Sequence, residues 1–215
     1  QHETYGFDLK VKAVENMENA INSLREEFII RGINNGEDSL AFGSFLLGPQ
    51  NSIIQTTKGS KVSKLSTLNP NFAAMIMEML IELEVDSSSK VAVSYTGSYP
   101  GANIAVLSAL EAMNMDASII TSCGSSEWGA TYSEMTWMGM ENYLNQEYHI
   151  SNKSKLGSIG GGLDVGIQLN REGKEVCESA IYSNDIEPLH EKDFIENVKK
   201  RMQYYYRNNE LGVID

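Results

Sequence analysis

The stretch VAVSYTGSYPGANIAVLSALEAM, residues 91–113, decides the fold of this 215-residue chain. It opens as a short apolar run typical of a buried strand and breaks at a turn over residues 96–101. It then resumes with the three- and four-residue spacing of a helix. The turn combines two glycines with small hydroxyl side chains. A strand that leads into a helix across such a turn is typical of the first half of a βαβ unit.

The segments on either side repeat this alternation. Patterns of apolar residues predict strands over residues 90–95, 117–121 and 156–159, and helices over residues 70–85, 101–115, 133–146, 170–181 and 191–206. Short strands that alternate with helices indicate a parallel sheet, and right-handed crossovers cover such a sheet on both faces. We therefore predict an α/β fold of three layers, with a mostly parallel sheet of Rossmann-like type.

A long amphipathic helix precedes this region, from about Phe7 to Arg31. Residues 1–32 are predicted to be either a stalk that leads from a membrane anchor or a helix packed on the domain. Residues 33–215 are predicted to form a single α/β domain. Its first part, residues 33–68, is rich in loops, and apolar pieces at residues 41–47 and 52–54 are predicted as strands.

Charge and composition exclude several classes of function. The net charge of −12 disfavours nucleic acid or any other polyanion as a partner, unless a local basic patch overrides the global field. Three histidines without metal-binding spacing argue against a metal site, and no nucleotide fingerprint indicates a cofactor. Cys123 and Cys177 leave both a disulfide and two buried thiols open.

Three loops follow the carboxyl ends of the predicted strands, at residues 96–101, 122–131 and 160–166, and all are rich in glycine or serine. Ligands of open parallel sheets bind at this edge, so we expect the three loops to share a ligand. The candidate ligand-binding residues in them are Thr96, Gly97, Ser98, Ser122, Ser125, Ser126, Trp128, Gly161 and Asp164.

Three of these residues and one lysine have more than one interpretation. Ser98 is an anion contact, a cap of the following helix or a nucleophile, although its spacing is not that of a G-x-S-x-G elbow. Trp128 either stacks on a ligand or closes the core. Asp164 orients a hydroxyl, binds a cation or caps a turn. Composition alone predicts an exposed Lys64, yet its position permits contact with a carboxylate or phosphate.

The motifs also match a known family in order and spacing over roughly residues 7–182. The matching segments are residues 69–74 (NPNFAA), 96–105 (TGSYPGANIA), 126–130 (SEWGA), 136–137 (TW), 140–141 (ME) and 160–166 (GGGLDVG). The chain resembles the poly-γ-glutamate system protein family, found beside capsule-type poly-γ-glutamate synthesis genes in bacteria. The resemblance implies a role in making, exporting or attaching poly-γ-glutamate, together with other membrane proteins of that system.

The resemblance further implies an apolar membrane anchor ahead of the first helix, so that Gln1 is either a mature start or the first residue of a truncated chain, and the domain lies outside the cytoplasmic membrane. Positions that match the family pattern are Lys64, Ser98, Asn103, Ser126, Trp128 and Asp164, which adds Asn103 to the candidate ligand-binding residues. Gly139 departs from the pattern, because an acidic residue is common there.

Three functions are compatible with these features, and neither the reaction nor the oligomeric state follows from them. The first is an accessory component of poly-γ-glutamate biosynthesis or export that binds a carboxylate-bearing ligand. The second is a hydrolase or transferase of a γ-glutamyl amide or ester, with Ser98 as nucleophile, Lys64 as base and loop N–H groups as oxyanion hole. The third is a scaffold for membrane partners. Convergence of Lys64, Ser98, Ser126 and Asp164 on one pocket would favour the enzyme.

Overall fold

The computed structural model describes residues 6–33, 40–147 and 149–209, with side chains up to residue 207. Three parts of the predicted organisation lie outside the described residues. They are the start of the N-terminal segment (residues 1–5), part of the loop-rich region (residues 34–39) and the end of the α/β domain (residues 210–215). The helices are α1 (Phe7–Ile30), α2 (Lys61–Ser66), α3 (Asn71–Glu82), α4 (Pro100–Met113), α5 (Trp137–Gln146), α6 (Arg171–Ser183) and α7 (Phe194–Asn209). The strands are β1 (Gln55–Thr57), β2 (Val91–Thr96), β3 (Ala117–Ser122), β4 (Ser125–Ser126), β5 (Leu156–Ser158) and β6 (Glu187–Pro188).

The main sheet contains four parallel strands in the order β2-β3-β5-β6, so each strand lies beside the one that precedes it in this sheet. A second, two-stranded parallel ladder joins β1 to β4, with Gln55 beside Ser125 and Thr57 beside Ser126. The predicted α/β architecture with a parallel sheet is thereby confirmed. The quoted stretch forms β2, the turn and α4, as its pattern predicts.

Helices cover both faces of the main sheet, and the alternation of side chains along β3 shows which helix covers which face. Ile119 belongs to the large core that includes residues of α1, α3, α4 and α5. Its neighbour Ile120 points to the other face, where Tyr204 and Tyr205 of α7 pack against it. The Tyr205 hydroxyl also donates to the Val93 carbonyl of β2, 2.8 Å away.

The first helix packs on the domain through one face. Its buried residues recur at three- and four-residue intervals, Ala13, Met17, Ala20, Ile21, Leu24 and Phe28, and they contact α3 and α4. Burial of this stripe, at about 25 cal/mol per Å² of apolar surface, anchors α1 to the domain. No helix within the described residues has both the length and the apolar character needed to cross a membrane.

The prediction of strands at residues 41–47 and 52–54 of the loop-rich segment is wrong. The apolar piece at residues 41–47 contains a 3₁₀ turn, Ser44–Leu46, entered through Gly43 at a φ of 74°. Phe45 is buried because it packs edge-on against Phe28 of α1, at 5.1 Å between ring centroids, and not because it belongs to a sheet. The piece at residues 52–54 precedes the strand, which begins at Gln55.

Cys123 and Cys177 are free, buried thiols. Both belong to one small apolar cluster that includes Met138 of α5 and Ile181 of α6. The hydrogen bond with Cys177 and the burial of the site raise the pKa of the Cys123 thiol well above its ordinary value. Of the two possibilities for these cysteines, the structure contains the thiol pair.

Candidate active site

Lys64 is carried into the protein interior by the short helix α2. The Ser60 hydroxyl caps this helix by accepting from the Ser63 backbone N–H at 3.3 Å. Only 1% of the Lys64 surface is exposed. The expectation of an exposed Lys64 is therefore wrong, because a six-residue helix is held in place by tertiary contacts that leave no periodic signal in the sequence.

The Lys64 amine joins two loops that the sequence places at the carboxyl edge of the sheet. Its Nζ donates to the carbonyl oxygen of Ser98 and lies 2.8 Å from the hydroxyl of Ser126. The aromatic ring of Tyr99 covers the amine, with 4.4 Å between Nζ and the ring centroid. The expected proximity of Lys64 to the Ser98 turn is confirmed. The side-chain hydroxyl that contacts the amine, however, belongs to Ser126.

Burial sets the electrostatics of this amine. It lowers the pKa of Lys64 from 10.5 to about 8. Within the part of the chain that the structure describes, no carboxylate forms an ion pair with Lys64. About a tenth of the amine is consequently neutral at pH 7, whereas an exposed lysine at this pH is almost fully charged. A neutral amine can still donate to Ser98 while its lone pair accepts from the Ser126 hydroxyl.

Ser98 holds Ser126 in place and is not a helix cap. The residue at the cap position of α4 is Tyr99, since Pro100 occupies the first helical turn, where its missing N–H costs nothing. The Ser98 hydroxyl instead accepts from the backbone N–H of Ser126 at 3.0 Å. The Ser98 backbone N–H donates in turn to the Thr96 hydroxyl at 3.1 Å. The interpretation of Ser98 as a cap is therefore wrong.

The glycines around these loops permit their close approach. A β-carbon on Gly59 would stand 2.4 Å from the Glu127 carbonyl oxygen and 3.0 Å from Cε of Lys64. A β-carbon on Gly129 would stand 2.6 Å from the Gly97 carbonyl oxygen and 2.8 Å from that of Ser98. Side chains at these two positions would separate the backbone segments that hold the site together.

We expect Gly129→Ala to destabilise the fold by about 1–3 kcal/mol, because the added methyl group pushes the Ser98 carbonyl away from Lys64. Gly139→Ala is the matched control. Gly139 lies in helix α5, where alanine is favoured over glycine by up to ~1 kcal/mol. The added methyl group would meet only the flexible Met135 side chain, at 3.3 Å from Sδ. Urea unfolding of both variants measures the difference. Equal stability of the two variants would contradict the close packing of the loops.

Three more predicted residues lie against the turn around Ser98. The Asn103 side-chain amide donates to the Thr96 carbonyl at 2.9 Å, and the Ser125 hydroxyl donates to the Gly97 carbonyl at 3.0 Å. These bonds secure the backbone of the turn, so these residues position the site instead of lining it. Ser122 lies buried at the end of β3, with its hydroxyl 3.5 Å from the Tyr95 carbonyl.

Trp128 lies at the rim of the site in a strained backbone conformation. Its φ is 64°, which is unusual for a large side chain and is found mostly where function or packing imposes it. The ammonium group of Lys61 stands 4.2 Å from the centroid of the half-buried indole ring. The Glu127 carboxylate accepts from the Gln50 side chain at 2.6 Å and from the Gly59 backbone N–H at 3.4 Å.

Three loop N–H groups near Ser126 are not free to form the expected oxyanion hole, because each already donates within the protein. The N–H groups of Ser126, Glu127 and Gly129 donate to the Ser98 hydroxyl, the Thr57 carbonyl and the Ser126 carbonyl. These donors hold the turn that presents the Ser126 hydroxyl.

Asp164 and Gly161 do not join the Lys64 site. The carboxylate of Asp164 accepts from Ser158 at 2.7 Å, from Asn197 at 3.0 Å and from Arg201 at 2.5 Å. It therefore fastens α7 to the end of β5. Gly161 opens the turn of residues 162–164, where Gly162 N–H donates to the Gln168 side chain. The Asp164 carboxylate therefore forms an ion pair with Arg201 of this chain and accepts from the Ser158 hydroxyl.

Sequence reasoning missed several residues that the structure places in these clusters. Tyr99 and Lys61 contact the Lys64 site, and Asn197 and Arg201 contact Asp164. Tyr99 lies inside the quoted turn, so its position carries a usable signal. Asn197 and Arg201 are separated from Asp164 by more than 30 residues, and no local pattern relates them to it.

Among the residues that the structure describes, no three His, Cys, Asp or Glu side chains come together as metal ligands. No protein-family model, curated protein or solved structure matches the chain.

Proposed function

We propose that this chain is a serine–lysine enzyme of acyl transfer, with Ser126 as nucleophile and Lys64 as general base. One observation carries the proposal: a buried amine of lowered pKa lies 2.8 Å from a serine hydroxyl, with no carboxylate paired to it among the described residues. A lysine that is partly neutral near physiological pH is the base that such pairs use in place of histidine.

The reaction follows from the positions of these two groups. Ser126 Oγ attacks the carbonyl carbon of an amide or ester, while its proton moves to the neutral Lys64 amine. The tetrahedral intermediate collapses to an acyl-serine, and the leaving amine or alcohol takes the proton from Lys64. Water or a second amine then attacks the acyl-serine, again losing its proton to Lys64, and Ser126 is released. Tyr99, above the amine, keeps water away from it.

The proposed substrate is a γ-glutamyl amide or ester. This choice rests on the resemblance to the poly-γ-glutamate system family, and the same resemblance supports a location outside the cytoplasmic membrane among other proteins of that system. The local charge supports it too. Lys61, whose ammonium group lies over Trp128, places a positive charge at the rim of the site in a chain whose net charge is −12.

We expect kcat/KM for a γ-glutamyl anilide to rise about tenfold per pH unit below the pKa of Lys64, about 8, and to level off above it. The reason is that only the neutral amine can accept the Ser126 proton. Lys61→Met serves as the control, because Lys61 contacts Trp128 and not the hydroxyl, so its profile should keep the same midpoint. Activity that is flat or falls between pH 6 and 9 would contradict a lysine base.

A second function is favoured by the missing ion pair of Lys64. A carboxylate-bearing ligand would supply the counter-charge that the described residues do not, and the chain would then be a binding component of poly-γ-glutamate biosynthesis or export. Calorimetric titration with γ-linked diglutamate tests this function. Binding that is lost in Lys64→Met, together with an absence of turnover in the wild type, would favour the binding component over the enzyme.

A further inference from the structure

Four buried polar side chains lie between the sheet and helix α5. They are Tyr95, Thr121, Trp137 and Glu141. One polar atom of each has no hydrogen-bond partner among the residues that the structure describes, namely Tyr95 Oη, Thr121 Oγ1, Trp137 Nε1 and Glu141 Oε2. Buried polar atoms without partners are rare in native proteins, so a group of four is unusual.

The four side chains meet at one place in the core. Tyr95 and Thr121 are register partners on β2 and β3, so both project from the same face of the sheet. Trp137 and Glu141 are one turn apart on α5 and share one face of that helix. The rings of Tyr95 and Trp137 pack edge to face with 5.8 Å between centroids. Glu141 lies close enough to Tyr95 for its charge to add to the effect of burial on the Tyr95 pKa.

The chemistry of the four atoms selects the guest. The Trp137 N–H can only donate, and the Glu141 carboxylate accepts when ionised, while the hydroxyls of Tyr95 and Thr121 do either. A metal cation does not suit a set that includes an indole N–H. An apolar guest would leave all four atoms without partners. Water offers two donors and two acceptors, and buried water makes two to four such bonds.

We propose that Tyr95, Thr121, Trp137 and Glu141 bind ordered internal water between the sheet and α5. The water accepts from Trp137 Nε1 and is hydrogen-bonded to Glu141 Oε2, to which it donates when the carboxylate is ionised and from which it accepts when the carboxyl group is protonated. The two hydroxyls complete its coordination. The other carboxylate oxygen, Glu141 Oε1, already accepts from the Ser154 hydroxyl at 2.9 Å. The site then satisfies a carboxyl group that has no exposed surface.

The chain has two tryptophans, so its NMR spectrum contains two indole N–H signals, and Trp128→Phe assigns them. We expect the Trp137 indole proton to show a cross-peak to water with the sign of a long-lived contact. The peak should persist in Tyr95→Phe, which excludes relay through the tyrosine hydroxyl. A peak that is missing from the wild-type spectrum would overturn the proposal.

Thr121→Val gives an independent test, because it removes Oγ1 and keeps the shape of the side chain. If Oγ1 binds water, the variant loses a hydrogen bond and its equilibrium constant for unfolding rises several-fold. If Oγ1 is dry and unsatisfied, removing it lowers that constant. A stabilised or unchanged Thr121→Val would contradict the proposal.

Discussion

Ser126→Ala is expected to lower kcat/KM for a γ-glutamyl anilide by at least ~10³-fold, since the proposed acyl-serine route requires the Ser126 hydroxyl as its nucleophile. The fold should be nearly unaffected. The hydroxyl contacts Lys64, and that amine keeps its bond to the Ser98 carbonyl. Initial rates and thermal unfolding, measured on the same preparation, separate loss of chemistry from loss of structure.

The neighbouring serines provide matched controls for this result. Ser98→Ala keeps the carbonyl that binds Lys64 but removes the acceptor of the Ser126 N–H, so we expect about a tenfold loss from one missing hydrogen bond. Ser125→Ala removes a hydroxyl that is buried against Gly97 and should act mainly on stability.

The relative losses in these variants also decide between the proposed nucleophiles. A larger loss in Ser98→Ala than in Ser126→Ala would make Ser98 the nucleophile, as the sequence hypothesis has it. Turnover that survives in both variants would exclude a serine mechanism at this site. A fluorophosphonate probe gives a direct check, because peptide mass spectrometry should place its adduct on Ser126.

Glu141→Gln is expected to stabilise the protein by about 3 kcal/mol at pH 8 and to change its stability little at pH 4. Burial raises the pKa of Glu141 from 4.5 to about 7, against the opposing effects of the Ser154 hydrogen bond and of Lys153 and Lys155. Between pH 4.5 and pH 7, Glu141 keeps its proton in the folded chain but loses it in the unfolded chain. The free energy of unfolding of the wild type therefore falls as pH rises from 4.5 to 7. The shift corresponds to ~1.4 kcal/mol per pH unit over the window.

Glutamine carries no charge at any pH and keeps the shape of the protonated side chain, including an oxygen that accepts from Ser154. Urea denaturation of wild type and variant at half-unit steps from pH 4 to pH 8.5 gives the difference in unfolding free energy, in which other titrating groups cancel. That difference should open between pH 4.5 and 7 and then stay constant. A variant that is less stable at pH 8, or a difference independent of pH, would show that Glu141 is ionised at little cost in the folded protein.

The parts of the fold that follow from the sequence are those with strong local periodicity. The residues of α1 that pack on the domain recur every three or four positions, and the alternation of β2, α4 and β3 is visible as an apolar run, a glycine turn and a second apolar run. Such patterns are legible because each element must bury one face, whatever the rest of the chain does. The short elements α2, β1, β4 and β6 were missed, because two to six residues carry too little pattern.

For the candidate site, the sequence alone determined that the loops after β2 and β3 lie at one edge of the sheet, and the tertiary structure decided which atoms touch. Parallel strands must end at one edge, so the loops after β2 and β3 could be assigned to a common site from chain order. The contacts of Lys64 with the Ser98 carbonyl and the Ser126 hydroxyl, and the ion pair between Asp164 and Arg201 of α7, join residues that are 34–62 positions apart in the chain. The burial of Lys64 depends on the same contacts. Desolvation and packing between such distant segments depend on the whole fold, so no local pattern of the chain specifies them.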